Sequence, residues 1–432
     1  MAVAAEQVAD RTSPWARVRA APLEIQLAVA GLGAIALHLI DDNFFQPPPG
    51  TSAGNHLVSG LVPLVVVCAA AAAYPRLRAG ARAALALFFG VLGIVIGGIE
   101  PAYYGPKVGL SGDDYTGLLA LAGGVVLLGV GTVTLWRSRR RDDGLVRRYG
   151  RRVLLTVAGL LVVAFILFPL SLSYGFTHAA RTTTESGDLG APYQNVAFET
   201  PDGLRLEGWY VPSENGATVI VYPGKKGTQK HARMLTRHGY GVLVFDRRGE
   251  GQSEGDPNAL GWAFHRDLEG ALRFLRGRAD VDGKRIGAIG LSVGGEALLE
   301  ASAKTRGFAA IVSDGAGARS VREDVVHMRA SKVPEIISSA VMSAGVTIFA
   351  NQLPPPSLVD LAPKIAPTAV FFIYATKGAG GEDNNPDYFE AAGTPKRIWK
   401  VETSHTHGLT DHPQEYEQRV IAFFDQTLRP TS

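Results

Sequence analysis

The sequence contains a single cysteine among its 432 residues, Cys68. An intrachain disulfide is therefore excluded, and cysteine usage gives no indication of the redox compartment. Charged residues are also scarce, at 19% of the chain, and the formal net charge is only +3. The basic excess is concentrated in one run, from Arg137 to Arg152, instead of being spread over a folded face. We therefore expect no binding to nucleic acid.

Long apolar runs are abundant, and nearly all of them lie before about residue 175. Five of them reach or approach the roughly 20 residues that are needed to cross a bilayer. Because they are apolar all round and follow one another with short loops, we interpret them as membrane spans and not as buried helices of a soluble domain. The spans are predicted at 24–40, 56–74, 83–99, 116–136 and 153–173.

Lysine and arginine alternate between the loops that join these runs. They occur before the first span, in the second loop and in the fourth loop, whereas the first loop has none and the third has only Lys107. Because positively charged loops stay in the cytoplasm, this pattern puts the N-terminus there and everything beyond residue 175 outside. A full span follows the N-terminal residues, so we expect a signal anchor and not a cleaved signal peptide.

Two further features of the apolar half bear on its packing. Gly93 and Gly97 form a G-x-x-x-G pattern, which favours close packing of membrane helices. The predicted outer side collects polar residues, among them His38, Asp41 and Asp42. We interpret these as solvated loop ends and span caps, with a metal or lipid-headgroup site as the alternative.

The pattern changes after a polar linker at residues 176–190. Over residues 191–432, short apolar strands alternate with helices, which indicates an α/β domain with a mostly parallel sheet. An opening hairpin is expected around Asp202-Gly203. Further strands are predicted at 218–222, 242–245, 285–289, 308–312, 370–375 and 397–401, and the closing helix at about 413–428.

One strand of this domain ends in Gly290-Leu291-Ser292-Val293-Gly294, and a helix follows. This is the sequence form of a nucleophile elbow, in which a serine sits on a strained turn between a strand and a helix. Gly290 and Gly294 are small where backbones approach closely. The amide of Val293 lies at the helix N-terminus, where it can stabilise an oxyanion. The pattern alone is also compatible with a glycine-rich turn that carries a capping serine.

Four motifs, taken together, resemble those of α/β-hydrolases of the prolyl-oligopeptidase, dienelactone-hydrolase and acyl-thioesterase branch. They are T-P-D-G-L-R-L-E-G-W-Y-V-P at 200–212, D-R-R-G-E-G-Q-S at 246–253, D-V-D-G-K-R-I-G-A-I-G-L-S-V-G-G at 280–295 and S-H-T-H-G-L at 404–409. With its multi-span leader, the chain is similar to bacterial membrane-anchored hydrolases. The resemblance implies an integral protein of a bacterial plasma membrane, and the charge pattern of the loops puts the hydrolase domain outside the cytoplasm.

The resemblance implies Ser292 as the nucleophile and a chain order of serine, acid and histidine. His405 occupies the place of the family's catalytic histidine, and His407 is the alternative. The acid is expected after the strand at 370–375, where Glu382 is preferred over its neighbour Asp383. Asp314, after the preceding strand, is the reserve.

The resemblance also implies a second oxyanion donor and a cap. Relatives of this branch carry His-Gly after the strand at 218–222, whereas this chain has Pro223-Gly224, so the backbone of Lys225 is the expected donor. The apolar stretch between Asp314 and Pro367 occupies the place of a short helical cap, with a core-packing helix as the alternative.

We therefore expect a serine hydrolase that acts on an ester, thioester or amide through an acyl-enzyme, with a small acyl or lipid-like substrate. Neither a cofactor nor a metal ion is expected. A non-catalytic membrane sensor or scaffold and an acyltransferase with the same triad are the alternatives. The sequence does not indicate the oligomeric state.

Overall fold

The structure is a computed structural model, and it describes residues 21–110, 112–138, 144–178, 181, 187–223, 228–326 and 333–428. The chain divides into two compact units. The helical unit comprises Met1–Pro47, Ser52–Ala180 and Ile337–Asn351, and the sheet unit comprises Pro48–Thr51, Arg181–Ile336 and Gln352–Ser432. Along the chain the main change of unit falls at Ala180–Arg181, and the short segments Pro48–Thr51 and Ile337–Asn351 each belong to the other unit than the residues that flank them in the sequence.

The helical unit consists of long apolar helices. Its described part contains α1 Leu23–Ile40, α2 Leu57–Ala73, α3 Ala79–Val108, α4 Asp114–Arg137, α5 Leu145–Val162 and α6 Phe168–Thr177. A π-helical turn extends α1, and another joins α5 to α6. In the described residues, five stretches are long and apolar enough to cross a membrane: Leu23–Phe45, Leu57–Arg76, Ala79–Tyr103, Asp114–Arg137 and Leu145–Thr177. The prediction of five long apolar helical stretches is confirmed.

The fifth span begins earlier than its apolar run indicates. Arg147, Arg148, Arg151 and Arg152 were expected in a loop, but they lie in the first turns of α5. Arginine is a good helix former, so the helix continues through the basic run.

Glycines bring α3 and α4 into close contact. A Cβ atom on Gly97 would lie 2.2 Å from the carbonyl oxygen of Gly117, and one on Gly93 would lie 3.1 Å from the Cα of Gly124. Only glycine permits these approaches, so the G-x-x-x-G pattern packs as predicted.

Polar side chains at one end of the helical unit contact one another. The buried His38 has its Nδ1 3.2 Å from the Thr116 hydroxyl, which donates to Asp41 at 2.7 Å. Asp42 lies 3.7 Å from Nε2 of His178. The interpretation as solvated loop ends is therefore wrong for His38. Within the described residues, no group of three or more histidine, cysteine or acidic side chains is arranged to hold a metal ion.

The sheet unit is built on a single sheet of eight described strands in the order β1-β2-β4-β3-β5-β6-β7-β8. The strands are β1 Gln194–Glu199, β2 Arg205–Val211, β3 Thr218–Tyr222, β4 Gly241–Phe245, β5 Ile286–Leu291, β6 Ala310–Asp314, β7 Ala369–Lys377 and β8 Lys396–Ser404. β2 pairs antiparallel with β1 and with β4, and the other pairs are parallel. The prediction of an opening hairpin followed by a mostly parallel sheet is confirmed.

Helices cover both faces of this sheet. They are α7 Gln229–Thr236, α8 His265–Arg276, α9 Val293–Lys304, α10 Val321–Val326, α12 Leu358–Leu361, α13 Asn385–Ala391, α14 Gly408–Asp411 and α15 Pro413–Leu428. Ile220 of β3 faces the core under α8 and α9, and its neighbour Val219 faces the core under α7 and α15. This burial on both faces explains why the central strands are continuously apolar.

The region expected to form a cap contains α11, Val333–Phe349, and most of this helix belongs to the helical unit. The Ser173 hydroxyl donates to the carbonyl of Met342 at 2.9 Å, and the ring of Phe349 meets Tyr174 edge-on at 5.5 Å. One face of this helix therefore packs against α6 of the helical unit, a contact that the expected cap did not include.

Candidate active site

Ser292 sits on a strained turn between β5 and α9. Its backbone has φ 55° and ψ −126°, a conformation that costs a residue with a side chain on the order of 1–3 kcal/mol. A Cβ atom on Gly290 would lie 2.3 Å from the carbonyl oxygen of Gly294, and one on Gly294 would lie 2.6 Å from that of Pro223. The two glycines therefore make room for the turn, as the sequence indicated.

His405 reaches the serine hydroxyl from the end of β8. Its Nε2 lies 2.9 Å from Oγ of Ser292, which is hydrogen-bond distance for proton transfer. The next residue, Thr406, has φ 54°, an uncommon conformation for a β-branched residue. The chain therefore turns sharply directly after the histidine.

His407 has a different position. Its side chain is exposed, its Nδ1 lies 2.9 Å from the Ser404 hydroxyl, and its residue precedes α14. Of the two histidines in the motif, the structure brings His405 to Ser292.

Glu382 lies behind His405. Its Oε1 is 3.3 Å from Nδ1 of the imidazole, and its side chain is 1% exposed. The pKa of His405 is raised above its usual value, mainly because the Glu382 carboxylate can accept the ring proton, while partial burial opposes the shift. The adjacent Asp383 is exposed on a short 3₁₀ turn. The sequence preference for Glu382 thus agrees with the contacts.

Asp314 is buried at the end of β6 and has its own partner. Its Oδ2 accepts a hydrogen bond of 2.7 Å from the Tyr416 hydroxyl. Burial raises the pKa of Asp314 to about 7. The side chain is therefore held by Tyr416, and the contact with Nδ1 of His405 comes from Glu382.

Of the two expected oxyanion donors, Val293 and Lys225, the structure describes only Val293. Val293 is the first residue of α9, where amide groups have no acceptor within the helix. Lys225 lies outside the described residues, as do Gly224, Lys226 and Gly227. Where the oxyanion is expected, the described residues are therefore Val293 and Pro223, and the carbonyl of Pro223 lies close to Gly294.

Hydrogen bonds from the loop after β6 hold the segment that carries Glu382, and no local sequence pattern indicates these bonds. Asn385 donates to the carbonyl of Ala316 at 2.7 Å, and the Tyr388 hydroxyl donates to that of Gly317 at 3.0 Å. Ala318 donates from its backbone to the carbonyl of Gly380 at 2.8 Å. These bonds tie the loop after β6 to the loop that carries the carboxylate.

A buried ion pair ties the first of these loops to α9. Arg319 and Glu300 have side chains that are each 2% exposed, and their charged atoms are 2.7 Å apart. Glu296 also accepts from the backbone of Gly317 at 3.2 Å, and burial raises the pKa of Glu296 to about 7. α9, which begins directly after Ser292, thus holds the loop after β6, and this loop in turn holds the segment of Glu382.

A family model extends over most of the sheet unit. The model of the X-Pro dipeptidyl-peptidase (S15) family matches residues 192–430, more than half of the chain. This chain belongs to the S15 family. The recognition of an α/β-hydrolase joined to an apolar helical region is therefore confirmed.

Curated relatives match parts of this S15 domain. The protein YfhR of Escherichia coli is 32% identical over 133 residues, covering 28% of this chain and 46% of YfhR. The α/β-hydrolase domain-containing protein WAV2 of Arabidopsis thaliana is 32% identical over 158 residues, covering 33% of this chain and 48% of WAV2. The chain thus spans about half the length of each of these relatives.

A solved structure supports the fold. The esterase Pf2001 of Pyrococcus furiosus superposes with a TM-score of 0.50 at 21% identity, covering 59% of this chain and 99% of the esterase. At this identity the likeness shows the α/β-hydrolase fold and not the substrate.

Proposed function

We propose that this S15 family member is a membrane-anchored serine hydrolase that cleaves an ester, thioester or amide. The observation that carries the proposal is the 2.9 Å approach of His405 Nε2 to Ser292 Oγ, with Glu382 behind the imidazole. A serine hydroxyl is a weak nucleophile until a base takes its proton, and this line of groups supplies the base and its orienting carboxylate.

The reaction would proceed in two halves. Ser292 attacks the carbonyl carbon while His405 takes the hydroxyl proton. His405 then gives this proton to the leaving alcohol, thiol or amine, and an acyl-enzyme remains. In the second half, His405 takes a proton from water, the resulting hydroxide attacks the acyl carbon, and the proton returns to Ser292 as the acid leaves.

The oxyanion of each tetrahedral intermediate needs donors on the other side of the carbonyl. We assign one to the amide of Val293, because it opens α9 beside the nucleophile. The backbone of Lys225 is the second proposed donor, since it follows β3 in the sequence. In this scheme the helix N-terminus stabilises the charge that develops in the transition state.

We also propose that the sheet unit faces the outside of a bacterial plasma membrane. Five apolar spans from a cytoplasmic N-terminus leave the following domain on the opposite side, and the arginines of the loops support this orientation. A reporter enzyme that is active only outside the cytoplasm should therefore be active when it is fused after Ser432. Activity of a cytoplasm-dependent reporter at that position would contradict the orientation.

Labelling with a fluorophosphonate probe tests the reaction. The full chain should label in its native form, and Ser292→Ala and His405→Ala should each abolish labelling. His407→Ala and Asp383→Asn are matched controls that should label normally, because neither side chain contacts Ser292 or Nδ1 of His405. Unchanged labelling of Ser292→Ala would refute the assignment. Failure of the folded native chain to label would instead favour the non-catalytic sensor or scaffold.

Acyl transfer is the second candidate, and one relative favours it. A polyketide transferase of Penicillium is 32% identical over 161 residues, covering 33% of this chain and 54% of that protein. The same acyl-enzyme could pass its acyl group to an alcohol or amine instead of water. Acyl esters and thioesters of graded length and X-Pro amides, each with and without added acceptor, would separate a transferase from an esterase or peptidase.

A further inference from the structure

The helix α11 carries an apolar face that no described residue covers. From Ile336 to Ala350 the sequence has no charged side chain. Gly345, Val346 and Phe349 lie on the side that packs in the helical unit, and Val346 is fully buried. On the opposite side Ile337 is 46% exposed, and Ala340 and Ala344 are exposed as well.

The neighbour on the packed side is the end of the fifth apolar span. A Cβ atom on Gly345 would lie 2.5 Å from the hydroxyl oxygen of Ser173, so the two helices touch where glycine permits it. Ser173 also donates to the carbonyl of Met342. Because Ser173 lies within the span Leu145–Thr177, this part of α11 shares the surroundings of that span.

The chain enters and leaves this position from the same unit. The segments that flank it in the sequence, Arg181–Ile336 and Gln352–Ser432, both belong to the sheet unit. A helix of 17 residues is about 25 Å long, shorter than the roughly 30 Å hydrocarbon core of a bilayer, so it suits a segment that lies within one leaflet. Contact with lipid acyl chains would stabilise the uncharged, exposed face of α11, because it would remove apolar surface from water.

We propose that α11 is a lipid-facing anchor, inserted into one leaflet with Ile337, Ala340 and Ala344 against acyl chains. It joins β6 to β7 in the sequence, so the connection between two strands of the hydrolase sheet would be held in the bilayer. The proposal concerns the membrane and not the reaction, and it therefore holds or fails independently of the role of Ser292.

Site-directed spin labelling of the full chain in phospholipid nanodiscs tests this proposal. Cys68→Ser removes the sole cysteine, and Ile337→Cys, Ala340→Cys and Ala344→Cys then place one nitroxide each on the exposed face. Leu161→Cys on α5 is the lipid reference and Asp383→Cys the aqueous reference, since both side chains are exposed. Collision rates with O₂, which concentrates in lipid, and with a water-soluble nickel chelate are measured at each position.

The expected result is a ratio of O₂ to nickel collisions at 337, 340 and 344 that matches position 161 and exceeds position 383. A ratio equal to that of position 383 would show a water-exposed helix and overturn the proposal. Low collision rates with both reagents would show that a protein partner or a second copy covers this face, and they would overturn it as well. Three separate positions keep the test decisive if one labelled chain fails to fold.

Discussion

Gly315 lies directly against the contact between Glu382 and His405. A Cβ atom at this glycine would be 2.8 Å from Oε1 of Glu382 and 3.2 Å from Cε1 of His405, and its φ is 77°. The backbone that follows β6 is therefore part of the wall that keeps the carboxylate and the imidazole at their observed separation.

Gly315→Ala should lower kcat by at least about tenfold, because the new methyl group displaces one of the two side chains and misplacement by about 1 Å costs up to about 10²-fold. Gly203→Ala is the matched control, since Gly203 has φ 83° and open space around it. Both substitutions strain the backbone, but only the first disturbs the site. Steady-state hydrolysis of a model ester measures the effect, and equal losses in both variants would contradict this account.

The pH dependence of kcat/KM should report the pKa of His405. The imidazole must be neutral to act as a base, and the neighbouring carboxylate raises its pKa, so activity should fall as the pH drops through this raised value. Glu382→Gln removes the negative charge, and the midpoint should move to lower pH. We expect kcat to fall by roughly 10⁴-fold as well, as when a triad acid is replaced by its amide. Asp383→Asn should leave the midpoint unchanged, and an unchanged midpoint in Glu382→Gln would argue against the proposed acid.

The loop after β4 depends on a buried ion pair. The guanidinium of Arg248 donates to Asp267 at 2.6 Å, and the Asp267 side chain is fully buried and also accepts from the Tyr222 hydroxyl at 2.9 Å. Asp267→Ala should destabilise the sheet unit by about 1–3 kcal/mol, because the buried Tyr222 hydroxyl and the Arg248 backbone amide lose their acceptor, while Asp202 still pairs with the guanidinium of Arg248. Limited proteolysis of the full chain over a range of temperature measures the change.

A surface pair provides the control for that experiment. Glu415 and Arg419 form an exposed pair one helical turn apart, with side chains 48% exposed each. Such pairs contribute at most about 0.5 kcal/mol, so Glu415→Ala should leave the cleavage midpoint nearly unchanged. A similar loss of stability in Asp267→Ala and Glu415→Ala would mean that burial of the ion pair does not determine how much its removal destabilises the protein.

Close helix packing in the apolar region is also testable. Gly97→Ala should lower the thermal stability of the detergent-solubilised chain, because the methyl group would clash with the backbone of α4. Gly129→Ala should be neutral or stabilising, since nothing lies within 4 Å of that position and alanine favours helix. Size-exclusion chromatography after heating measures the fraction of protein that stays monodisperse. This fraction should be smaller for Gly97→Ala than for Gly129→Ala, and the reverse order would contradict the predicted packing.

The parts of the fold that follow from local patterns could be predicted from the sequence. Apolar length identified the spans, and alternating strands and helices identified the parallel sheet. The G-L-S-V-G turn marked Ser292 by its local pattern, whereas His405 and Glu382 were implied by the resemblance of four motifs to α/β-hydrolases. Span lengths, the alternation of strands and helices and the turn at the serine are properties of neighbouring residues, so they can be read from one chain segment at a time.

Contacts between distant segments could not be predicted. The apolar spacing of α11 suits a core helix, a cap or a membrane helix equally, and only its contact with Ser173 distinguishes them. His38 meets Thr116 across 78 residues of sequence, and Asn385 supports the loop of Ala316 across 69. Each of these pairs depends on how helices and loops pack, which no pattern of neighbouring residues indicates.

The return of residues 337–351 to the helical unit has a consequence for dissecting this protein. A single proteolytic cut in the linker at 176–190 would not release the hydrolase in soluble form, because α11 would still be packed beside the fifth span. Conversely, a fragment that begins at residue 191 would carry Gly345, Val346 and Phe349 stripped of their partners, as an aggregation-prone surface. A soluble form of the sheet unit therefore requires replacement of this helix as well as removal of the apolar spans.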